Sequence, residues 1–363
     1  MNKIKWGIIG CGVIAPWHAD SVVDSQYAEL VAACDIDEEK GKEFAQQHGG
    51  VAFYQDYRQM LTRGGIDAVS VCTPSGLHAG MTIAAAQAGV HVLCEKPMAI
   101  TVPQLDAMVE AVHKAGVKLG VIFQRRTYET SKRVRAAVQS GLLGKMTLGD
   151  AYLKYYRSPA YYRSAGWRAT WALDGGGALM NQGVHGIDLL VWVMGDVQSV
   201  YAKAEAKARD IEVEDTCVAL LTFKNGAFGV IEGTTSSNPG EITAFHFHGE
   251  KGTIILDDHG ISEWAISSDK SILAENDPAQ CVSIQSLSTA SDPRAMDRAG
   301  HQAQVDDLCM AIAEDREPMV TGASARKAVE LILAIYESAR TGKEVKLGQA
   351  AAGAGERGKG LAR

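Results

Sequence analysis

The stretch that leaves this chain the fewest choices is the short β-rich run Ile4 to Ile9 followed at once by Gly10-Cys11-Gly12-Val13-Ile14-Ala15. A strand that opens through Gly-x-Gly-x-x-Ala into a helix from about Ala15 is the start of a β-α-β unit built to receive a dinucleotide. Gly10 permits the tight turn, Gly12 lets the backbone approach a pyrophosphate, and Ala15 is small enough for helix to lie on strand. Val13 and Ile14 complete the turn on the ligand side. A second strand, Leu30 to Cys34, ends in Asp35, a carboxylate placed for the 2′ and 3′ hydroxyls of an adenosine ribose. Asp35 is followed by Ile36, Asp37, Glu38 and Glu39. No arginine or serine stands ready for a 2′-phosphate, so repulsion favours NAD over NADP.

The alternation continues. Ile66 to Cys72 reads as a strand, Thr73-Pro74-Ser75-Gly76-Leu77-His78 as a loop, and Met81 to Ala88 as a helix closed by Gly89. Val90 to Cys94 is the next strand, Val102 to Ala115 a helix closed by Gly116, and Val117 to Phe123 a further strand. Such regularity predicts a parallel, doubly wound sheet, whose ligands bind at the carboxyl ends of its strands. Gly10, Asp35, Thr73, Lys96 and Gln124 all fall at such ends, and with Gly12, Val13, Ile14, Pro74, His78, Glu95 and Pro97 they are the expected cofactor contacts. The run His91 to Cys94 finishes in Glu95-Lys96-Pro97, where Pro97 cannot donate to a ladder and turns the chain. A lysine at a strand end is ordinarily solvated. Here it stands where the nucleotide site must meet a second molecule.

A chain of 363 residues exceeds one ordinary core, so two domains are expected, 1–124 and 125–347, with a disordered tail over 348–363. The net charge of −7 argues against nucleic acid or an anionic membrane as partner. The seven cysteines form no CxxC pair, which suits reduced thiols and a cytoplasmic protein. No stretch approaches the ~20 apolar residues of a membrane span.

After Phe123 the rhythm changes. Gln124-Arg125-Arg126 leads to a helix from about Glu129 to Gln139, and Thr147 to Tyr156 alternates as a strand. That strand delivers an aromatic and basic loop containing Tyr156, Arg157, Arg163, Trp167 and Arg168. Aromatic faces stack on sugars and guanidinium forks bind hydroxyls, carboxylates or phosphates, but the same residues are enriched at oligomer contacts, and both readings stand. Next comes Asp174-Gly175-Gly176-Gly177-Ala178-Leu179-Met180-Asn181-Gln182-Gly183-Val184-His185-Gly186-Ile187-Asp188. Three glycines before a helix allow a ligand close to its N-terminus, and Asn181, His185 and Asp188 are spaced to share a face. From Val200 the pattern is β, with Asn225-Gly226 a hairpin signal, giving a large, mostly antiparallel sheet with an exposed face suited to self-association. Ser267 to Gly300 reads as an irregular excursion. Two amphipathic helices follow, about Gln302 to Glu314 and about Ser324 to Ala339.

The Gly-x-Gly-x-x-Ala turn with Asp35, the Thr73-Pro74 loop with His78, Glu95-Lys96-Pro97, and the GGGALMNQGVHGID block together resemble the glucose-fructose oxidoreductase, inositol dehydrogenase and rhizopine-catabolism family, from about Ile4 to Leu347. The resemblance implies a Rossmann domain followed by an α/β domain with an open sheet, a homo-dimer or homo-tetramer, and catalysis by Lys96 and His185. An aspartate four residues before the histidine often completes the set in that family; here it is Asn181. An amide cannot act as a base. The MNQ variant is similar to the branch that includes UDP-N-acetylglucosaminuronate dehydrogenases.

Chemistry and resemblance converge on an NAD-dependent oxidoreductase of a ring carbinol in a sugar, sugar derivative or cyclitol, with no metal. His185 is the expected proton acceptor and Lys96 the donor that steadies the developing alkoxide, although a desolvated lysine could also take the proton. Arg125, Tyr156, Arg163, Trp167, Arg168 and Asn181 are expected around the substrate, with Asp188 orienting the histidine. A nucleotide-sugar 3-dehydrogenase that retains its cofactor, an NAD-requiring glycoside hydrolase and a non-catalytic NAD-binding regulator are the competing readings.

Overall fold

The computed structural model describes residues 2–267, 274–276 and 298–348. The tail from residue 349 onward and most of the 267–300 excursion lie outside the described residues. Strands β1 (Ile4–Ile9), β2 (Ala28–Cys34), β3 (Ala52–Tyr54), β4 (Ala68–Val71), β5 (His91–Cys94) and β6 (Leu119–Val121) form one sheet in the order β3-β2-β1-β4-β5-β6, every pair parallel. Its strands carry small and β-branched residues because helices cover both faces; all four residues of β4 are buried. The helices are α1 (Ala15–Asp24), α2 (Glu38–Gln47), α3 (Tyr57–Arg63), α4 (His78–Gln87) and α5 (Val102–Ala115). Thr101 caps α5 by accepting from the Gln104 amide, and Gly116, at φ +68°, stops it. The chain order reverses between β1 and β4, and the crevice opens there.

A short 3₁₀ turn (Gln124–Thr127) leads into α6 (Glu129–Gln139), β7 (Met146–Lys154) and α7 (Pro159–Arg163). A π-helical turn (Ala178–Gly183) then runs into α8 (Val184–Met194). Strands β8 (Val197–Glu205), β9 (Thr216–Phe223), β10 (Phe228–Thr234), β11 (Ala244–Gly249), β12 (Gly252–Asp257), β13 (Gly260–Ser267) and β14 (Ala274–Asn276) follow, then α9 (Ala299–Ala313), α10 (Gly322–Thr341) and β15 (Val345–Lys346). The second sheet has nine strands, in the order β14-β13-β12-β11-β7-β10-β9-β8-β15, antiparallel except where β7 meets β10. One face buries Leu153, Leu221, Ile231, Phe245 and Phe247 beneath α6, α8 and α10. The other leaves Leu148, Val218, Leu220 and Phe228 exposed.

The chain then returns to the first sheet. Val305, Leu308 and Cys309 of α9 pack in one cluster with Trp6, Ile8 and Leu93, and Gly300 lies so close to Gln124 that an added Cβ would sit 2.4 Å from the glutamine's Cβ. Helix α9 therefore closes over the ends of β2 and β5, bringing His301 under the strand that carries Lys96.

Candidate active site

A cleft of about 1290 Å³ opens where the carboxyl ends of the first sheet face the loop after β7 and the start of α8. That exceeds the usual ~300–1,000 Å³ of a single small-molecule site, leaving room for a dinucleotide and a second molecule together. Gly10, Gly12, Val13, Ile14, Asp35, Thr73, Pro74, Glu95, Lys96 and Gln124 line one part of it, and Arg125, Trp167, Arg168, Asn181 and His185 another.

The nucleotide half fits the group its motif implies. Gly10 has φ +89° and a Cβ there would meet Thr73 Cγ2 at 2.8 Å, so the turn requires glycine. A Cβ on Gly12 would meet nothing within 4 Å; that space belongs to the cleft, where a phosphate can approach the backbone. Asp35 accepts the amides of Cys11 (2.8 Å) and Asp37 (3.0 Å), which aims its carboxylate into the cleft where a ribose diol would donate to it. Lys40, which the sequence reading passed over, stands 3.3 Å from Asp35 and lines the same wall.

Two expected cofactor contacts lie behind the wall instead. His78 is buried, with Nδ1 2.8 Å from the Pro97 carbonyl and Nε2 2.8 Å from the Thr73 carbonyl. It ties the Thr73-Pro74 loop to the Glu-Lys-Pro turn, and Pro97 is buried beside it.

Lys96 and His185 both reach the cleft, from different halves of the chain. The ammonium of Lys96 donates to the backbone carbonyl of Asn181 at 3.0 Å. Burial pushes its pKa below the ordinary value, with Glu95 and Asp174 opposing the shift. Burial, reinforced by the charge of Lys96, holds His185 well below the usual histidine range, so its ring is neutral. Its Nδ1 is buried with no hydrogen-bond partner among the described residues, and its ring stands edge-on to Phe123 with centroids 5.9 Å apart. The Asn181 amide donates to the Asp174 carboxylate, and its Oδ1 accepts from Gln182 at 2.6 Å. Asp174 in turn accepts the Ala169 amide at 2.8 Å.

Asp188 does not hydrogen-bond the histidine, as its expected orienting role would require. It is fully buried in a two-pronged ion pair with Arg126, whose Nε donates at 2.8 Å, while Arg126 also reaches the Ser324 hydroxyl at 3.0 Å. The π-helical turn offsets the stripe that an ideal helix would have presented. The three glycines also serve packing rather than a ligand. A Cβ on Gly175 would meet Ile100 Cγ2 at 2.3 Å, and one on Gly177 would meet the Glu214 carbonyl at 1.9 Å. Glu214 accepts the amides of Gly177 (2.9 Å) and Leu179 (2.8 Å) and the Tyr336 hydroxyl (2.8 Å); burial pushes its carboxyl up to about 7.

Of the aromatic and basic loop, Trp167 and Arg168 line the cleft, while Arg163 is exposed and Tyr156 lies to one side in a bridge with Ser236. The charge expected from Arg163 comes from Arg157, buried beneath Tyr161 and bound to Gln182 Oε1 at 2.7 Å. Arg168 stacks on Tyr161 and Trp167, 4.4 and 4.6 Å from their centroids, and donates to the Tyr161 hydroxyl at 2.8 Å. Arg125 is held by Asp258 at 2.7 Å. Tyr161, Gln182 and Asp174 were within reach of a sequence argument only as neighbours of the loop and the glycines; Asp258 gave no signal.

Comparison with known proteins agrees with this geometry. A family model described as an oxidoreductase family with an NAD-binding Rossmann fold matches residues 4–123, and one for the GFO/IDH/MocA C-terminal domain matches residues 131–255. The chain is 30% identical to a myo-inositol 2-dehydrogenase of Thermotoga maritima, over 70% of this chain and 75% of that one. It is 27% identical to a D-glucoside 3-dehydrogenase of Escherichia coli, over 95% and 98%. Among solved structures, the WlbA dehydrogenase from Bordetella pertussis, in complex with NADH and UDP-GlcNAcA, superposes with a TM-score of 0.84 at 35% identity, covering 95% of this chain and 99% of that one. A Rossmann turn aimed at a shared cleft, a lysine and a histidine that both line it, and matches over both halves place the chain in the GFO/IDH/MocA family of NAD-binding oxidoreductases.

Proposed function

We propose that this oxidoreductase acts on a ring hydroxyl of a pyranose that carries an acidic group, with His185 as proton acceptor and Lys96 as the cation beside the reacting oxygen. NAD bound in the nucleotide half supplies the hydride acceptor. The chain's own residues do the rest. A neutral His185 can take the hydroxyl proton, and the Lys96 ammonium donates to the oxygen as negative charge develops on it. Asn181, clamped between Asp174 and Gln182, forms the wall from which the ammonium is hung.

The observation that carries the substrate class is Arg168. Its guanidinium lines the cleft on a Tyr161–Trp167 stack, and among the described residues no carboxylate pairs with it. A half-buried guanidinium without a carboxylate partner, lining a cleft with room for a sugar beside the dinucleotide, calls for an anion, and the planar fork suits a carboxylate. The UDP-GlcNAcA found in complex with WlbA is a ligand of that chemistry.

The test is reduction of NAD, followed at the absorbance of NADH, with matched neutral and acidic pyranoses, free and nucleotide-linked, and with inositols. Turnover confined to acidic sugars supports the reading; equal or better turnover of neutral sugars or inositols overturns the acidic class and leaves the dehydrogenase. Six buried, unpaired thiols among the described residues fit a reducing, cytoplasmic setting, and no described helix is long and apolar enough to cross a membrane. The open apolar face of the second sheet is the surface on which we place a second copy, to be checked by light scattering.

A further inference from the structure

Beneath Lys96 lies a closed polar network that the proposed chemistry does not use. Glu95, 5% exposed, accepts the backbone amide of Lys96 on Oε2 at 3.0 Å. Its Oε1 lies 2.9 Å from His18 Nε2 and 3.5 Å from His301 Nε2. His18 and His301 are 0% and 1% exposed and meet edge to face, 5.3 Å between centroids. The other nitrogen of His18 stands 3.0 Å from the Ser70 hydroxyl, which accepts the Trp6 indole N–H at 2.9 Å.

The direction of these bonds can be worked out. An indole nitrogen only donates, so Ser70 accepts from Trp6 and has one proton to give. Among the described residues the acceptor placed for it is His18 Nδ1. His18 then carries its own proton on Nε2 and donates it to Glu95. Burial alone would push the Glu95 carboxyl up; the hydrogen bond from His18 and the His301 ring beside it reverse this and hold it well below its ordinary range, so it is an anion. His301 has no properly aligned partner on either ring nitrogen among the described residues, and Glu95 is the carboxylate it faces. Four residues drawn from β1, β4, α1 and α9 are thus chained toward one carboxylate at the end of β5, whose remaining oxygen grips the lysine's own backbone.

We infer that Glu95, clamped by His18 and His301, is the positioning residue for Lys96: it fixes the lysine's backbone from beneath and supplies the counter-charge that its ammonium needs in a buried site. The inference rests on Lys96 being a working residue of the proposed reaction. It gives the return of α9 to the first sheet a functional meaning, because α9 contributes the second half of the clamp. Hydrogen bonds to an ionised acceptor are roughly twice as strong as neutral ones, so the grip on the Lys96 amide is firmer than a backbone bond would be. Glu95 and Asp174 are the anions facing the ammonium; Arg157, Arg168 and the neutral His185 are the other titratable groups around it. Two histidines and a carboxylate also make a metal-binding set, their ligand atoms all within 4.8 Å of one another. The Ser70–Trp6 chain places a proton on the His18 nitrogen that such a metal would need.

The experiment compares Glu95→Gln, His301→Gln and Lys96→Ala in the full-length enzyme. The readouts are kcat, KM for the sugar, NAD binding by fluorescence, the pH profile and metal content. Glu95→Gln keeps the shape and removes the charge. The expected result is a fall in kcat of about tenfold or more with NAD affinity within about threefold of wild type, and an alkaline limb moved to lower pH. His301→Gln, at a residue that does not line the cleft, moves both readouts the same way by less, and remains the test if Glu95→Gln does not fold. Lys96→Ala separates the two ideas: if it retains turnover, the reading of Lys96 fails. If it is inactive while Glu95→Gln and His301→Gln keep the wild-type kcat and alkaline limb, the clamp alone is overturned. Stoichiometric metal lost in His301→Gln would also overturn the clamp.

Discussion

Lys96 is held by the backbone of Asn181, not by its side chain: the ammonium donates to the Asn181 carbonyl at 3.0 Å, while the amide side chain is spent on Asp174 and Gln182. Asn181 therefore contributes its main chain, not its amide, to the lysine proposed to act in the reaction. Replacing Asn181 with Ala leaves that carbonyl in place. We predict that kcat falls by about tenfold or less in Asn181→Ala, while Lys96→Ala loses at least about 100-fold with NAD binding retained. Equal losses in the two variants would mean that the side chain, not the carbonyl, is what the lysine depends on.

The pH profile follows from the two shifts. His185 must be neutral to accept a proton, and burial together with Lys96 has moved its pKa well below 6.5, so turnover persists through pH 6.5 and fails only at lower pH. Lys96 must be charged to donate, and burial has lowered its pKa below 10.5, so turnover falls as pH rises through that lowered value. A kcat/KM profile with an acid limb centred near 6.5 would show that His185 is solvated in the working enzyme, contrary to this structure.

Arg168 separates substrate recognition from chemistry. Arg168→Ala should raise KM for an acidic sugar by about 10- to 100-fold, in line with the ~1.5–3 kcal/mol of a hydrogen bond to a charged group, while kcat changes little. For a neutral analogue of the same ring, the variant and wild type should differ by less than about threefold. If KM for the acidic sugar is unmoved, the anion does not meet this guanidinium.

Much of this arrangement could be read before the coordinates, and the reasons for the failures are physical. The turn at Gly10, the carboxylate at Asp35 and the placing of Lys96 at a strand end follow from local rules, since a tight turn, a small residue and a proline each act within a few residues. Helices α2 and α3 and strand β3 went unread. Helix α2 buries only Gly41, Phe44 and Ala45 along its charged length, and β3 is three residues of an edge strand, so neither shows a clear period. A regular helix over 181–188 and a ligand role for the three glycines do not hold, because the π turn and the packing of Ile100 and Glu214 depend on chain far away in sequence. The pairing of Arg126 with Asp188, and of His301 with Glu95 across some two hundred residues, is information only the fold holds.

That ion pair yields the last prediction. Asp188 and Arg126 are 1% and 5% exposed at the side chain, and the carboxylate is satisfied by both Nε and the terminal nitrogen of the guanidinium. Arg126 also reaches the hydroxyl and carbonyl of Ser324 at the start of α10, joining the first helical turn after the Rossmann sheet, α8 and α10 in one contact. Removing one partner leaves the other charged and buried, which costs about 3–5 kcal/mol. Asp188→Ala should lower the denaturation midpoint accordingly. Replacing both partners, as Arg126→Met with Asp188→Leu, removes the stranded charge and should recover most of that loss. His185 sits one turn before Asp188 on α8, so the double variant also asks whether the pair merely stabilises α8 or aims its histidine. Recovery of stability with kcat still depressed would show that the ion pair sets where His185 points. Recovery of both would confine it to holding the helices together.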